Sequence, residues 1–182
     1  VSKLDGACPG KAGLVRVRYS PRQDLKQAKS SAWVPVGVET DFSAQLALSG
    51  LQPATKYYYA AETAELNSKI QHGALRGEFQ TAPLPDTEAA LNFCVLSCQM
   101  YAHLDHPDGF NIYPAMQRLQ PQFVVFTGDN VYYDNEEPRA TTVELARYHW
   151  ERMYSLPRHR ELLRSVATYW EKDDHDLLED DV

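Results

Sequence analysis

The stretch that most constrains this chain runs from Gln122 to Asn135 and reads Gln-Phe-Val-Val-Phe-Thr-Gly-Asp-Asn-Val-Tyr-Tyr-Asp-Asn. Its apolar run, Phe123 to Phe126, is too short for a helix and rich in β-branched and aromatic residues, which favours a strand buried in a parallel sheet. The run stops at Gly128 and Asp129, so a carboxylate follows the strand's carboxyl end, where open α/β sheets bind ligands. Tyr132 comes three residues later, and a tight turn there would return its phenol to the same side as the carboxylate. The alternative is an ordinary Asp-Asn turn after a core strand.

Length and charge limit the classes of protein to consider. The chain has 182 residues, 43% of them hydrophobic, which allows one large domain or two small ones with a sizeable core. A formal net charge of −7 argues against a nucleic-acid-binding surface and is compatible with cation sites. The sequence shows neither the roughly 20 consecutive apolar residues of a membrane span nor a signal segment at Val1. Because Val1 is not an initiator Met, we expect upstream residues to have been removed.

Residues 1–82 are predicted to form β structure. The segment Leu14 to Ser20 alternates apolar and basic residues, as a strand with one buried face does. Further candidate strands at sandwich-like spacing are Trp33–Val38, Phe42–Leu48, Lys56–Glu62 and Leu75–Phe79. The phrase from Gly50 to Tyr59 resembles the fibronectin type III-like phrase Leu-x-Pro-x-Thr-x-Tyr-x-Tyr, in which one tyrosine can pin a corner of a β-sandwich. Any antiparallel sheet with aromatic cross-strand pairs is the alternative.

A change of pattern marks a second predicted domain. Two prolines and the absence of a strand pattern place a linker at residues 83–90, followed by a domain at 91–182. The predicted elements of this domain, in order, are a strand at Leu91–Ser97, a helix at Phe110–Leu119, a strand at Phe123–Phe126, helices at Thr141–Tyr154 and Arg158–Arg164, and a strand at Val166–Trp170. This alternation is typical of a parallel α/β sheet.

Each of these three strands is followed by a residue that can bind a metal. The first is followed by Cys98, the second by Asp129 and Tyr132, and the third by the segment Lys172–Asp176. If the strands are parallel neighbours, their tips lie side by side, and two metal ions can share Asp129. Carboxylate and phenolate oxygens suit hard cations. The alternatives are that Cys98 is a small core residue and that Glu171–Asp181 is a solvated acidic face.

These motifs resemble the alkaline phosphatase D-like (PhoD-like) metallophosphatases, within the calcineurin-like metallophosphoesterase superfamily. The matching phrases are Ser97–Gln99, Asp108–Tyr113, Pro121–Phe123, Thr127–Asp134 and Lys172–Asp176. Gly-Asp-x-x-Tyr followed by Asp-Asp-His-Asp is a specific combination, whereas Ser-Cys-Gln alone is weak. The family carries a fibronectin-like domain before its phosphatase domain. The resemblance therefore implies a fibronectin type III-like β-sandwich, expected to lack its first strand, followed by the first part of a metallophosphoesterase α/β domain.

The resemblance assigns metal ligands residue by residue. Cys98 takes the place of the ligand after the first strand, and Asp129 that of the bridging carboxylate. Tyr132 matches the phenolate ligand of a ferric ion. Asp174 matches a position filled by a metal-binding Asn in the wider superfamily, and Asp173 is expected to be a ligand or to support one.

The resemblance also implies an activity, a metal-dependent phosphoester hydrolase of alkaline phosphatase or phosphodiesterase type, using Fe³⁺ and Ca²⁺. The metals would polarise the phosphoryl group and activate the attacking water, and His175 would stabilise or protonate the leaving oxygen. A secreted or periplasmic location follows from the family alone. The expected partners are a small-molecule phosphoester and the C-terminal remainder of the same enzyme, with no nucleic acid.

Two departures from the family pattern lead to further expectations. The superfamily supplies more ligands, mainly histidines, beyond Asp-Asp-His-Asp, whereas this chain ends at Val182, and the β half lacks an opening strand before Leu14. We therefore expect a piece of a longer enzyme that is inactive alone. The alternative is a binding or interaction module that retains metallophosphatase remnants. A remnant should bind no ion tightly, whereas a functional half-site should retain one through Asp129 and Asp174.

Overall fold

The computed structural model of the protein describes residues 1–67 and 71–177. Contacts divide the chain into two compact units. One unit is Gly10–Ala89, and the other combines Val1–Pro9 with Ala90–Val182.

The first nine residues thus group with the second unit. The Tyr148 hydroxyl donates a hydrogen bond of 2.6 Å to the Asp5 carbonyl oxygen, which fixes this segment to a helix of that unit. The domain division expected from the sequence, 1–82 and 91–182 with a linker at 83–90, stays a prediction.

The first unit contains an antiparallel sheet. Its strands are β1 (Gly13–Ser20), β2 (Lys29–Ser30), β3 (Val34–Val36), β4 (Lys56–Ala64) and β5 (Gln71–Gln80). The strand order is β2-β1-β4-β5, and β3 also pairs with β1. On one face Tyr57 stacks on Phe79 with ring centroids 5.5 Å apart. The Tyr57 hydroxyl accepts a 3.0 Å hydrogen bond from the Gln52 amide, so a tyrosine does pin the turn before β4.

Two expectations for this unit differ from the structure. Within residues 1–67 and 71–89, all strands belong to a single sheet, so the fibronectin type III-like sandwich is not confirmed and stays a prediction. The predicted strand Phe42–Leu48 is wrong, because no ladder pairs that segment with another described strand. Asp41 and Phe42 have φ angles of 52° and 53°, and two consecutive left-handed residues turn the chain out of an extended path.

The second unit is a parallel sheet with helices, as the alternation predicts. Its elements are β6 (Phe93–Leu96), α1 (Ile112–Arg118), β7 (Phe123–Thr127), α2 (Val143–Tyr154), α3 (Pro157–Leu163) and β8 (Ala167–Glu171). The strands run parallel in the order β6-β7-β8, with Val124 of the central strand opposite Cys94 and Thr168. Because β7 is central, its carboxyl end lies between those of the other two strands.

Local signals in the sequence explain where these helices begin. The Thr142 side chain accepts a hydrogen bond from the Leu145 amide and caps α2, and Pro157 opens α3 at a position that needs no amide hydrogen.

Among the described residues, none of the helices has the length and apolar character that a membrane span requires.

The core of this unit lies beneath one face of the parallel sheet. Four of its side chains, Tyr113, Val124, Phe126 and Leu162, are fully buried. Phe126 also stacks on Trp170 with ring centroids 3.9 Å apart and planes only 4° from parallel. This packing fixes β7 and β8 relative to each other, and therefore the segments that follow them.

Candidate metal centre

The segments after the three parallel strands meet around Asp129, which follows the central strand. The Cys98 sulfur, after β6, lies 3.4 Å from Asp129 Oδ2. Asp174 and His175 follow β8. One potential ligand atom from each of Asp129, Asp174 and His175 lies within 4.8 Å of the other two. Parallel strands explain the arrangement, since their carboxyl ends face the same edge of a sheet.

The backbone at two of these tips is held in an unusual conformation. Cys98 and Asp129 have φ angles of 58° and 52°, in the left-handed region that non-glycine residues rarely adopt. Gly128 has a φ of 95°, and a Cβ there would lie 2.4 Å from Asp173 Cβ. Glycine is therefore required at this position, both for the turn and for the close approach of the segment after β8. Strain of this kind clusters at functional sites.

The Asp129 carboxylate is buried and only partly satisfied. Its Oδ2 atom accepts hydrogen bonds from the Cys98 thiol at 3.4 Å and the Tyr132 hydroxyl at 3.2 Å. Its Oδ1 atom is buried and has no hydrogen-bond partner in the described part of the chain. Burial raises the pKa of Asp129, against the smaller opposing effect of its hydrogen bonds. A buried anionic oxygen without a partner costs free energy, and a bound cation would supply the missing interaction.

Tyr132 faces the same carboxylate from the loop after β7. Its side chain is 8% exposed, and its ring centroid lies 4.3 Å from that of His175. Burial, followed by the negative charge of Asp129, raises the pKa of the Tyr132 phenol. The phenol is therefore a proton donor to Asp129 when no cation is near. A cation bound by Asp129 would favour the phenolate, which is the form that binds metal.

His175 is oriented by a carboxylate that the sequence reasoning left without a role, Asp134. The His175 Nδ1 and Asp134 Oδ1 atoms are 2.8 Å apart. Burial lowers the pKa of His175, but the hydrogen bond and negative charge of Asp134 outweigh it, so the net pKa is raised. No spacing rule marks Asp134 in the sequence, because only the path of the loop brings it to His175.

A second carboxylate without an assigned role, Asp176, holds the loop after β7 in place. It is 3% exposed. Its Oδ1 atom accepts the amides of Asn130 and Val131 at 2.8 and 2.9 Å, and its Oδ2 atom accepts the Asn130 side-chain amide at 2.9 Å. Asp176 therefore fixes the residues directly after Asp129.

Comparison with known proteins bears directly on this region. Residues 93–180 match the family described as PhoD-like phosphatase. The resemblance to the PhoD-like phosphatases is confirmed. No curated protein matches the chain significantly in sequence.

Two solved structures share the fold. A solved structure of PhoD matches with a TM-score of 0.78 and 18% identity, over 94% of this chain and 34% of that chain. The purple acid phosphatase PPD1 from yellow lupin (Lupinus luteus) seeds matches with a TM-score of 0.60 and 12% identity, over 92% of this chain and 32% of that one. The chain thus spans about one third of the length of the solved structures that it matches.

Within the PhoD-like region, the structure brings most of the predicted site residues together. Cys98, Tyr132 and Asp174 all lie beside Asp129, and His175 completes the group. Asp173 differs, because it is exposed and its side chain accepts the Asp174 amide at 3.1 Å, which caps the short 3-10 turn at Asp174–Asp176. The ligand and catalytic roles given to these residues stay predictions.

The donor set fits a cation. Two carboxylates, a phenol, an imidazole and a thiol surround one region, and a buried carboxylate oxygen there lacks a partner. Oxygen donors favour hard ions, while the thiol widens the choice to softer ones.

Proposed function

We propose that this chain belongs to a metal-dependent phosphoester hydrolase of the PhoD-like type. The observation that carries the proposal is the cluster of Asp129, Asp174 and His175, whose ligand atoms lie within 4.8 Å of one another inside the matched region 93–180. A cluster of titratable side chains with raised pKa values, at the carboxyl ends of parallel strands, is where an α/β enzyme places its site.

The residues proposed to hold the metals are Cys98, Asp129, Tyr132 and Asp174, with Asp173 as a ligand or a support. Fe³⁺ and Ca²⁺ are proposed from the family resemblance, and the mixture of phenol, thiol and carboxylate donors is consistent with them. Such ions, when bound, polarise a phosphoryl group and lower the pKa of the attacking water.

The chain's own side chains would then position the reacting groups. The Asp129 Oδ1 atom is directed at no protein donor among the described residues, so it is available to the cation. Asp134 orients the His175 ring through its Nδ1 atom, and the Nε2 atom is proposed to donate a proton to the leaving oxygen. The negative charge of Asp134 favours the protonated imidazole, which this step requires.

The remaining parts of the proposal rest on the resemblance alone. The substrate is proposed to be a phosphomonoester or phosphodiester, and the enzyme to be secreted or periplasmic. The N-terminal part, residues 1–82, is proposed to be fibronectin type III-like, and residues 91–182 to be the first part of the phosphatase domain. The inactivity of the isolated chain stays a prediction.

The proposal is tested on the full enzyme that contains this chain, with a chromogenic phosphomonoester and a phosphodiester as substrates. We expect Asp129→Asn to abolish turnover with loss of metal, and His175→Asn to reduce kcat about 10²–10⁴-fold while metal is retained. The control is Asp108→Asn, because that side chain is 58% exposed. Full activity in Asp129→Asn would rule out the proposed metal role of Asp129. A wild-type enzyme without hydrolysis or bound metal would favour the inactive binding module instead.

A further inference from the structure

Three of the proposed ligands lie on two separate loops, and their spacing depends on what joins those loops. The loop after β6 carries Cys98, and the loop after β7 carries Asp129 and Tyr132. The sheet fixes where each loop starts. Farther from the sheet, a buried carboxylate in the loop after β7, Glu136, contacts the loop after β6.

Glu136 belongs to the loop after β7 and contributes both of its oxygens to buried interactions. Its side chain is 4% exposed. The Oε1 atom accepts a 2.6 Å hydrogen bond from the amide of Ala102, four residues after Cys98. The Oε2 atom accepts a 2.9 Å hydrogen bond from Arg152 of α2. One carboxylate thus binds the backbone of the other ligand-bearing loop and a helix at the same time.

Arg152 completes this connection from α2. Its guanidinium lies 4.2 Å from the ring centroid of Tyr101, the residue next to Ala102. Its Nη2 atom also lies 3.2 Å from His149 Nδ1, and His149 Nε2 lies 2.9 Å from the carbonyl oxygen of Pro138. Arg152 therefore contacts the loop after β6 through a ring, and the loop after β7 through Glu136 and His149.

Resting on the function proposed above, we infer that Glu136 and Arg152 are positioning residues that clamp the two ligand-bearing loops together and so hold Cys98 against Asp129. Neither residue touches the metal or the substrate in this role. The Cys98 sulfur and Asp129 Oδ2 are 3.4 Å apart, a separation that requires both loops to keep their relative place.

The physical chemistry of burial supports a positioning role over a purely stabilising one. A buried ion pair gives little net stability compared with apolar side chains of similar volume, because both charges must be removed from water. Such a pair does fix geometry, since each charge tolerates few other arrangements. Here the carboxylate also accepts a backbone amide of a ligand-bearing loop, and supports of this kind tune metal affinity.

The test compares variants of the full enzyme that contains this chain, with Co²⁺ as the probe. Glu136→Gln keeps the shape but removes the charge, and Arg152→Lys keeps the charge but removes the fork and the contact with Tyr101. Glu62→Gln is the matched control, because Glu62 is a buried carboxylate paired with Arg16 at 2.7 Å in the other unit. A thiolate-to-cobalt charge-transfer band, absent in Cys98→Ser, reports whether Cys98 reaches the ion. Hydrogen exchange of the Ala102 amide reports the clamp without any metal.

We expect Glu136→Gln to weaken Co²⁺ binding about 10–100-fold, to reduce the thiolate band at saturation and to speed exchange at Ala102, with no change in Glu62→Gln. Arg152→Lys should show the same pattern, so the inference remains testable if Glu136→Gln does not fold. If the wild type binds Co²⁺ and both variants match it in Co²⁺ binding and in Ala102 exchange, the positioning role is overturned while the metal proposal stands. A wild-type enzyme that binds no Co²⁺ would contradict the metal proposal and, with it, the positioning role.

Discussion

His159 provides a quantitative test of the packing beneath the candidate site. Its ring is fully buried, and neither ring nitrogen has a hydrogen-bond partner in the described part of the chain. The ring centroid lies 3.8 Å from that of Tyr113, whose hydroxyl donates to Gln99 Oε1, next to Cys98. Burial lowers the pKa of His159 from 6.5 to about 3. The native imidazole is therefore neutral throughout the range in which the unfolded one titrates.

The sign and size of the effect follow from this difference. Below pH 6.5 the unfolded chain binds a proton at His159 that the folded chain cannot bind, so the free energy of unfolding falls as the pH falls. The slope approaches about 1.4 kcal/mol per pH unit. Between pH 8 and pH 4.5 this effect should lower the free energy of unfolding by about 3 kcal/mol, and the loss is complete only near the folded pKa. His159→Phe removes this titration, so its unfolding free energy should depend less on pH by the same amount.

Urea unfolding at several values between pH 8 and pH 4.5, followed by the fluorescence of Trp150 and Trp170, measures the difference between wild type and variant. Every other titrating group is common to both proteins and cancels. His106→Gln is the control, since that side chain is 39% exposed. Its unfolding free energy should depend on pH as that of the wild type does. Unfolding free energies of wild type and His159→Phe that fall in parallel with pH would refute the assignment of a neutral, solvent-excluded His159.

Three further predictions concern the loop after β7. Gly128→Ala should lower the free energy of unfolding by about 2–4 kcal/mol, because it combines a φ of 95° with a clash against Asp173; thermal denaturation checks this, and an unchanged Tm would contradict it. Asp176→Asn should lower the free energy of unfolding by about 2–4 kcal/mol, because it weakens the hydrogen bonds to the amides of Asn130 and Val131. Hydrogen exchange of those two amides should become faster, and unchanged protection would contradict the anchoring role. Tyr132→Phe should preserve the fold but bleach the visible charge-transfer band of the iron-loaded enzyme, and an unchanged spectrum would exclude the phenolate ligand.

The parallel sheet and its tips were predictable because they depend on local patterns. The short run at Phe123–Phe126, rich in β-branched and aromatic residues, favours a buried strand, and the structure places β7 at Phe123–Thr127. Cys98 and Asp129 directly follow β6 and β7. Their proximity therefore follows once these strands are parallel neighbours. The longest helix was predictable for a similar reason, since the helical spacing of apolar residues in Thr141–Tyr154 is a local pattern, and the structure places α2 at Val143–Tyr154.

Other features depend on chain paths that no local pattern encodes. Asp134 and Asp176 lie in the quoted motifs, but their partners, His175 and Asn130, are 41 and 46 residues away in sequence. The Glu136 contact with Ala102 spans 34 residues and has no periodic signature. The strand predicted at Phe42–Leu48 is wrong. The apolar alternation there is a local pattern, but the backbone at Asp41 and Phe42 is left-handed and turns the chain out of an extended path.

The most direct test of the metal centre is an anomalous difference map from crystals of the full enzyme grown with Mn²⁺. The proposal predicts a peak within about 2.0–2.6 Å of carboxylate oxygens of both Asp129 and Asp174, and loss of that peak in Asp129→Asn. Crystals with no peak at this position, or with a peak that Asp129→Asn leaves in place, would contradict the claim that these strand tips bind a catalytic metal.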